Sequence, residues 1–187
     1  MSGNRASSRE KILAAAAELA DCVGPGNLSL DAVAQRAGVS KGGLIYNFPS
    51  KAKLMQALVE DYISKFDTDL AAKSANQHGG PVSRLAAYIE LSAEECAQVH
   101  PSAAGVVAAL AEDPDFLKPI RNYKRRLLDS LKAESKDPAK LIVAFLMIEG
   151  LRSMKLFDMD ILHEDERSMT LSYLLAEAAA SQDPEAN

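Results

Sequence analysis

Residues 29–48 hold the side chains whose types and spacing could do chemistry. Two short predicted helices must cross there at a steep angle. Such a contact needs a small residue, a glycine turn and apolar side chains that fix one helix against the other. The sequence provides all of these at the required spacing, with Ala34, Gly38, Val33, Val39 and Leu44. A unit of this kind can place its second helix in the major groove of DNA, so the chemistry is noncovalent recognition.

The rest of the sequence offers no arrangement suited to catalysis or metal binding. It has no Gly-rich phosphate loop after a strand, no Ser-His-Asp set and no G-x-S-x-G motif. Cys96 and His100 have the i, i+4 spacing that two metal ligands on one helix can use, but His78 and His163 lie in turns without matching spacing. We therefore predict no enzyme, no metal and no cofactor. The two cysteines, Cys22 and Cys96, are expected to be reduced thiols.

Charge is distributed unevenly along the chain. The net charge of the 187 residues is −5, which by itself argues against a nucleic-acid ligand. Residues 1–53, however, carry seven Lys or Arg against four Asp or Glu, so the negative excess lies in the remainder. A basic N-terminal part on an acidic body favours the binding of a polyanion at one end.

The elements that position these residues are predicted to be helices throughout. Ala, Leu, Glu and Lys dominate between widely spaced prolines and glycines, and this pattern is typical of an all-α protein. The first helix follows a capping box formed by Ser7 and Glu10. Three further helices are predicted to follow the caps Ser29, Ser40 and Ser50, and to end at Ala37, at Pro49 and near His78.

Five more helices are predicted beyond the glycine-proline segment 78–81, which gives about nine in all. They cover about 82–99, 102–111, 115–134, 138–157 and 164–181. The fourth predicted helix continues out of the small N-terminal module, so the predicted domain boundary lies at the start of this helix. Residues 1–51 then form a small three-helix domain that contains the helix-turn-helix, and residues 52–187 form a larger helical domain.

The segment from Ala34 to Lys51 reads A-x-x-A-G-V-S-x-G-x-L-x-Y-x-F-x-S-K. This pattern resembles the signature of the tetracycline-repressor (TetR) family of transcriptional regulators, because its glycine, aromatic and lysine positions match together. The resemblance of the C-terminal part is confined to the number and lengths of its helices. The resemblance implies that residues 1–51 are the DNA-binding domain and that residues 52–187 are the effector-binding and dimerisation domain.

The resemblance implies DNA contacts for particular residues. Lys41 and Gly42 match positions where the recognition helix reaches bases, and Lys41 could donate to guanine O6 or N7. Tyr46 and Lys51 match phosphate contacts. Asn47 and Ile45 depart from a histidine and a tyrosine that are frequent in the family. The complete predicted DNA-binding set is Ser29, Ser40, Lys41, Gly42, Gly43, Ile45, Tyr46, Asn47 and Lys51.

Alternatives remain for three of these side chains. Lys51 could be a solvated lysine at the start of a helix, although a cation is mildly unfavourable there. Tyr46 could be a core ring with an exposed hydroxyl group. Lys41 could contact a phosphate instead of a base.

The run 141–148 is apolar around the whole circumference of its predicted helix. A central core helix would explain this pattern, and so would a helix with one face covered by a second copy of the chain. The resemblance favours a second copy, since the last two helices of the family form a four-helix bundle across a two-fold axis. The predicted interface residues are Phe145, Ile148, Gly150, Met154, Leu171, Leu174 and Leu175.

The resemblance also implies a small-molecule pocket inside the C-terminal domain. Such pockets are mostly apolar with a few polar groups. The predicted lining residues are Phe66, Tyr88, Ser92, Cys96, Phe116, Tyr123 and Phe145. Ordinary core packing is the alternative for each of them.

The sequence thus predicts a homodimeric transcriptional regulator, a repressor or an activator, that binds a palindromic double-stranded DNA operator. A small, largely apolar effector would release it through the fourth helix. An architectural DNA-binding dimer of the same fold, without an effector, is the alternative. The longest apolar run is too short to cross a bilayer and the N-terminus has no signal-peptide core, so we expect a cytoplasmic protein with no membrane partner.

Overall fold

The computed structural model describes residues 7–23, 28–75, 83–96, 107, 110–111 and 113–180. This part of the chain contains eight helices and no strand, so the predicted all-α class is confirmed. The predicted helix 102–111 lies outside the described residues except at positions 107, 110 and 111. The helices are α1 Ser8–Val23, α2 Leu30–Ala37, α3 Lys41–Asn47, α4 Lys51–Ala75, α5 Arg84–Cys96, α6 Lys118–Glu134, α7 Pro138–Leu156 and α8 Glu164–Ala180.

Local hydrogen bonds explain where several helices begin. At α1 the Ser7 backbone N–H donates to Glu10 Oε2 at 2.7 Å and the Glu10 N–H donates to Ser7 Oγ at 3.2 Å, which is the predicted capping box. At α7 the Asp137 carboxylate accepts the N–H groups of Ala139 and Lys140, both at 3.1 Å. Pro138 occupies the first position of α7, where its missing N–H costs nothing.

Helix α6 begins three residues later than predicted, at Lys118. The preceding residues form a turn instead, in which the Phe116 N–H donates to the Asp113 carbonyl at 3.0 Å. The Asp113 side chain also accepts the N–H of Asp115 at 2.9 Å. Because an aspartate can satisfy nearby N–H groups in this way, it favours a turn over a helix.

The chain divides into two compact units. Met1–Tyr62 and His100–Ile120 form the first, and Ile63–Val99 and Arg121–Asn187 form the second. Helix α4 therefore contributes its beginning to the first unit and its end to the second. The sequence-based domain boundary at residue 52 remains a prediction.

The core of the first unit fixes the geometry of α1, α2 and α3. Ile12 from α1, Val33 from α2 and Leu44 from α3 are fully buried and belong to one hydrophobic cluster. Leu54 from the first turn of α4 is fully buried in the same cluster. Burial of such side chains is worth about 1.5–3 kcal/mol each, which is what holds the short helices α2 and α3 in place.

The core of the second unit is formed around α5. Tyr88 and Ile89 of α5 pack with Ile148 of α7 and Leu174 of α8, and all four side chains are at most 1% exposed. Leu131 of α6 completes this cluster. None of the helices that the structure describes is long and apolar enough to span a membrane.

Candidate functional site

The turn between α2 and α3 is built by three short-range features. Ser29 Oγ accepts the Ala32 N–H at 3.5 Å at the start of α2. Gly38 then adopts φ 65° and ψ 35°, a left-handed conformation that favours glycine. Ser40 Oγ accepts the Gly43 N–H at 3.0 Å and caps α3. The chain is thereby redirected into α3 within three residues.

Side chains on the inside and outside of α3 have opposite environments. Leu44 is fully buried, whereas Tyr46 is 89% and Ile45 is 38% exposed. Lys41 and Gly42 are exposed as well. Helix α3 therefore presents a polar face with a tyrosine to solvent while its opposite face packs in the core.

The other predicted DNA-binding residues are either partly buried or already hydrogen-bonded to the backbone. Asn47 is half-buried, and its Nδ2 donates to the Gly43 carbonyl oxygen at 2.8 Å within α3. Gly43 and Lys51 are also half-buried. Ser29 and Ser40 are exposed, and their hydroxyl oxygens already accept the capping N–H groups described above.

Lys41 has a charged partner that the sequence-based reasoning missed. Its Nζ lies 2.9 Å from Oδ1 and 3.1 Å from Oδ2 of Asp31, the second residue of α2. Asp31 is not among the site residues predicted from the sequence. The sequence did contain a signal for this contact. Asp31 lies ten residues before Lys41, and the turn between α2 and α3 brings these two positions together.

A second ion pair lies in the same unit. Arg36 Nη2 is 2.6 Å from Glu18 Oε2, and these side chains are 60% and 56% exposed. The Glu18 carboxylate raises the pKa of Arg36, mainly through this hydrogen bond. Arg9 also covers the ring of Phe48, with 5.4 Å between its guanidinium carbon and the ring centroid. Both contacts tie α1 to the helix-turn-helix.

Five of the predicted pocket residues meet in the second unit. The Phe66 ring makes edge contacts with Tyr88 at 5.9 Å and with Tyr123 at 6.2 Å, and Tyr88 stacks on Phe145 at 5.1 Å between centroids. Ser92 is fully buried and is hydrogen-bonded within this region by Arg152. These residues form one aromatic cluster with a buried hydroxyl group.

One predicted pocket residue lies outside that cluster, and the side chain of another lies outside the described residues. Phe116 is half-buried against the core of the first unit. The side chain of Cys96 lies outside the described residues, although its backbone ends α5.

Charged residues beneath the aromatic cluster were not predicted. Glu149 of α7 is 14% exposed and accepts hydrogen bonds from the Tyr88 hydroxyl group and from Lys124 Nζ. Arg152, one turn later, donates to Glu95 Oε2 at 2.8 Å and lies 5.3 Å from the centre of the Phe66 ring. A signal existed in the sequence, since these two charges follow directly after the apolar run 141–148 in the same helix.

The contacts around Glu149 form a polar network that keeps the Tyr88 hydroxyl group in its protonated form. Burial raises the pKa of Tyr88, and the neighbouring Glu149 carboxylate raises it further. A protonated hydroxyl can donate to a carboxylate, so Tyr88 acts as a donor at neutral pH. The cluster therefore combines aromatic surface with fixed charges of both signs.

A small cleft lies elsewhere in the second unit, near the starts of α5 and α7. Its volume is about 30 Å³, which is enough for at least one water molecule. None of the predicted pocket residues lines it. The lining residues are Ser83, Arg84, Leu85, Leu131, Glu134, Ser135, Leu141 and Ala178.

The predicted interface residues fall into two groups. Phe145, Ile148 and Leu174 are 4%, 1% and 1% exposed, because they pack in the core of their own chain. Gly150 is exposed, and Met154, Leu171 and Leu175 are half-buried.

Other apolar residues of α7 and α8 face solvent. On α7, Val143 is 56%, Leu146 61% and Met147 36% exposed. On α8, Met169 is 66% and Tyr173 58% exposed. Their spacing of three and four residues places each set along one side of its helix. We call these five residues the apolar stripe.

In the described ranges, no group of three or more His, Cys, Asp or Glu side chains could hold a metal ion.

The first unit is a helix-turn-helix that packs on its own core and exposes its second helix, and the remaining helices form a second core. This arrangement is typical of a DNA-binding regulator of the helix-turn-helix class.

Comparison with known families gives the same result and names the family. Residues 12–58 match the tetR family of bacterial regulatory proteins, and residues 82–179 match the tetracyclin repressor-like C-terminal domain. The second match spans more than half of the chain. The chain therefore belongs to the TetR family, whose members are transcriptional regulators and not enzymes.

Solved structures show the same fold. A transcriptional regulator from Rhodococcus sp. Rha1 is 18% identical, with a TM-score of 0.67 and with 92% of this chain and 96% of that chain covered. The multidrug binding protein EbrR complexed with ethidium is 18% identical, with a TM-score of 0.65 and coverage of 92% and 98%. The SmeT–triclosan complex is 19% identical, with a TM-score of 0.58 and coverage of 91% and 90%. Comparison with functionally curated proteins gives no significant match.

Proposed function

We propose that this protein is a repressor that binds a palindromic operator as a homodimer and is released by a small, largely apolar effector. The observation that supports DNA binding best is the solvent-facing side of α3, where Lys41 and Tyr46 are exposed on a rigid helix-turn-helix. Because the proposed ligand is chromosomal DNA, the proposed site of action is the cytoplasm.

Two groups of contacts are proposed at the DNA. Lys51 and Tyr46 contact phosphates, with Ser29 and Ser40 beside the strands, and these contacts fix the position of the protein without reading sequence. Lys41 and Gly42 face the base edges, where a lysine donates to guanine acceptors. The remaining members of the proposed set are Gly43, Ile45 and Asn47.

Substitution of the two lysines is expected to have different consequences. Lys51→Ala should weaken binding equally on operator and random DNA, and should lower the slope of log K against log salt by about one, because one phosphate contact is lost. Lys41→Ala should instead reduce the preference for operator over random DNA. Fluorescence anisotropy at several salt concentrations measures both quantities.

Lys136→Ala is the matched control for this experiment, since Lys136 is an exposed lysine in the second unit. It should leave affinity, slope and preference unchanged. If Lys41→Ala lowered affinity uniformly, the assignment of Lys41 to base reading would be wrong.

The effector part of the proposal is supported by the aromatic cluster and by the ligands of related proteins. Phe66, Tyr88, Tyr123 and Phe145 offer flat apolar surface next to Ser92 and fixed charges, the composition of a small-molecule site. Ethidium bound to EbrR and triclosan bound to SmeT are both aromatic and largely apolar. Helix α4 carries Phe66 and also begins at Lys51, so it supports a link between effector and DNA.

An effector that opens this cluster is expected to lower operator affinity. A tenfold loss requires that the effector bind the DNA-free conformation about 1.4 kcal/mol more tightly than the DNA-bound one. We would screen apolar aromatic compounds, beginning with triclosan, by thermal shift of the full-length protein. Operator affinity would then be measured with each compound that raises the melting temperature.

One observation favours a second candidate, an architectural DNA-binding dimer without an effector. The aromatic rings of the cluster are packed against each other, as the side chains of an ordinary core are. Compounds that stabilise the protein but leave operator affinity unchanged would support this candidate over the repressor.

A further inference from the structure

The ion pair between Asp31 and Lys41 lies on the same side of the helix-turn-helix as the proposed base-reading surface. Its side chains are 68% and 69% exposed, so the pair faces solvent and not the core. Within the described ranges each of these two side chains has the other as its charged partner. The pair therefore presents an ammonium donor and a carboxylate acceptor 2.9 Å apart.

The neighbourhood of the pair is open. A Cβ atom added at Gly42 would meet no heavy atom within 4 Å. The glycine next to Lys41 therefore leaves room for a base edge to approach α3 at this position, and Asp31 is itself exposed to solvent.

The major-groove edge of a base pair carries the complementary arrangement. In a G·C pair the guanine O6 accepts and the cytosine N4 donates, and the two atoms are hydrogen-bonded to each other at about 2.9 Å. Each atom keeps one further hydrogen-bonding direction that points into the groove. An ammonium over O6 and a carboxylate over N4 would therefore use both directions at once.

The same pair of charges separates the four base pairs. On G·C the ammonium also meets guanine N7, a second acceptor. On T·A the ammonium finds thymine O4 and the carboxylate finds the adenine N6 amino group, so this pair is disfavoured only by the methyl group beside the ammonium and by the acceptor N7 beside the carboxylate. On C·G and A·T the ammonium faces an amino donor and the carboxylate faces an acceptor, so both contacts are unfavourable.

We propose that Asp31 and Lys41 act together to read one G·C base pair in each half-site, with Lys41 on guanine and Asp31 on cytosine. Asp31 is then a specificity-determining residue, and a lone lysine would discriminate less because its ammonium group is a flexible point charge. The carboxylate also repels phosphates, so it lowers binding to random DNA. The inference rests on the proposed function, because it requires DNA in contact with α3.

The test begins with the operator that the full-length protein selects from random duplexes. We expect a G·C pair in each half-site whose replacement by C·G weakens binding of the unaltered protein by about 5- to 150-fold. In Asp31→Ala this ratio should fall at least fivefold at that position only, while affinity for random DNA rises. Lys41→Ala should lose discrimination at the same position.

Glu18→Ala is the matched control, because it also removes an exposed carboxylate, 56% against 68% for Asp31, from an ion pair in the same unit. It should leave the preference at every position unchanged. If Asp31→Ala kept the full preference, or if the two substitutions affected different base pairs, the joint reading of one pair would be overturned. A protein that selects no sequence and binds no duplex would overturn the proposed function as well, so the two failures are distinguishable.

Discussion

A Leu146→Asp variant is expected to be monomeric at micromolar concentration, where the unaltered protein is proposed to be a dimer. A two-fold interface contains each substituted residue twice. If each buried, unpaired carboxylate costs at least about 2 kcal/mol, the dissociation constant rises by about 1,000-fold. Light scattering and analytical ultracentrifugation measure this change directly.

The choice of Leu146 follows from the apolar stripe on α7 and α8. Leu146 is 61% exposed in the chain by itself, so an aspartate there leaves the chain's own core intact. Contiguous exposed apolar surface on two helices is typical of an interaction site. A second copy is the proposed occupant because a helix pair of this kind, related by a two-fold axis, closes a four-helix bundle.

The matched control for this variant is Ala133→Asp. Ala133 is exposed on α6 and the substitution adds the same charge outside the apolar stripe. This variant should remain dimeric, and circular dichroism should show both proteins folded. A Leu146→Asp protein that stays dimeric would show that another surface forms the interface.

Aspartate variants of the buried interface residues predicted from the sequence would test the stability of the chain and not its dimerisation. Phe145 and Leu174 are 4% and 1% exposed, so an aspartate at either position would place a charge in the chain's own core. We expect those variants to unfold and not simply to dissociate. The run 141–148 is apolar on all sides, and for this reason its periodicity could not indicate which side packs internally.

The starts of α1, α2 and α3 and the turn of the helix-turn-helix could be predicted because they depend on neighbours in sequence. The capping box at Ser7 and Glu10, the serine caps at 29 and 40 and the left-handed Gly38 all involve residues within about four positions. Side chains that stabilise such local conformations leave a pattern in the sequence itself.

The polar contacts of the candidate sites could not be predicted because they join distant residues. Tyr88 and Glu149 are 61 positions apart, and Arg152 and Glu95 are 57 positions apart. The spacing of residues along one helix does not specify which charged side chain of another helix a given residue will contact. Asp31 and Lys41 are closer, but their contact depends on the crossing angle of α2 and α3.

The network around Glu149 leads to the second large expected effect, on stability. Glu149→Leu should lower the free energy of unfolding by about 3 kcal/mol, because it removes the acceptor of Tyr88 and of Lys124 from an environment where water replaces it poorly. Glu149 is 14% and Lys124 34% exposed, so the loss should be smaller than for a fully buried pair. Urea denaturation monitored by circular dichroism gives the value.

A double variant separates the loss of the ion pair from the loss of packing. Glu149→Leu with Lys124→Leu removes both charges of this ion pair, while Tyr88 and Arg152, which also contact Glu149, remain. Replacing a buried ion pair with apolar residues is often neutral, so we expect the double variant to regain part of the stability that Glu149→Leu loses. If both variants were equally destabilised, the effect of Glu149→Leu would not arise from the unpaired Lys124 ammonium group.

Asp129→Ala is the control for the effect of burial. Asp129 pairs with Arg125 within α6, with 2.9 Å between Arg125 Nε and Asp129 Oδ2, and both side chains are more than half exposed. The Arg125 hydrogen bond lowers the pKa of Asp129, yet solvent screens such a pair, and its removal should change stability little. A large effect at Glu149 beside a small one at Asp129 would show that the network stabilises the second unit because it is buried under the aromatic cluster. An effector that separates those rings would then also have to disturb Glu149 and Arg152, which connects ligand binding to the packing of α5, α6 and α7.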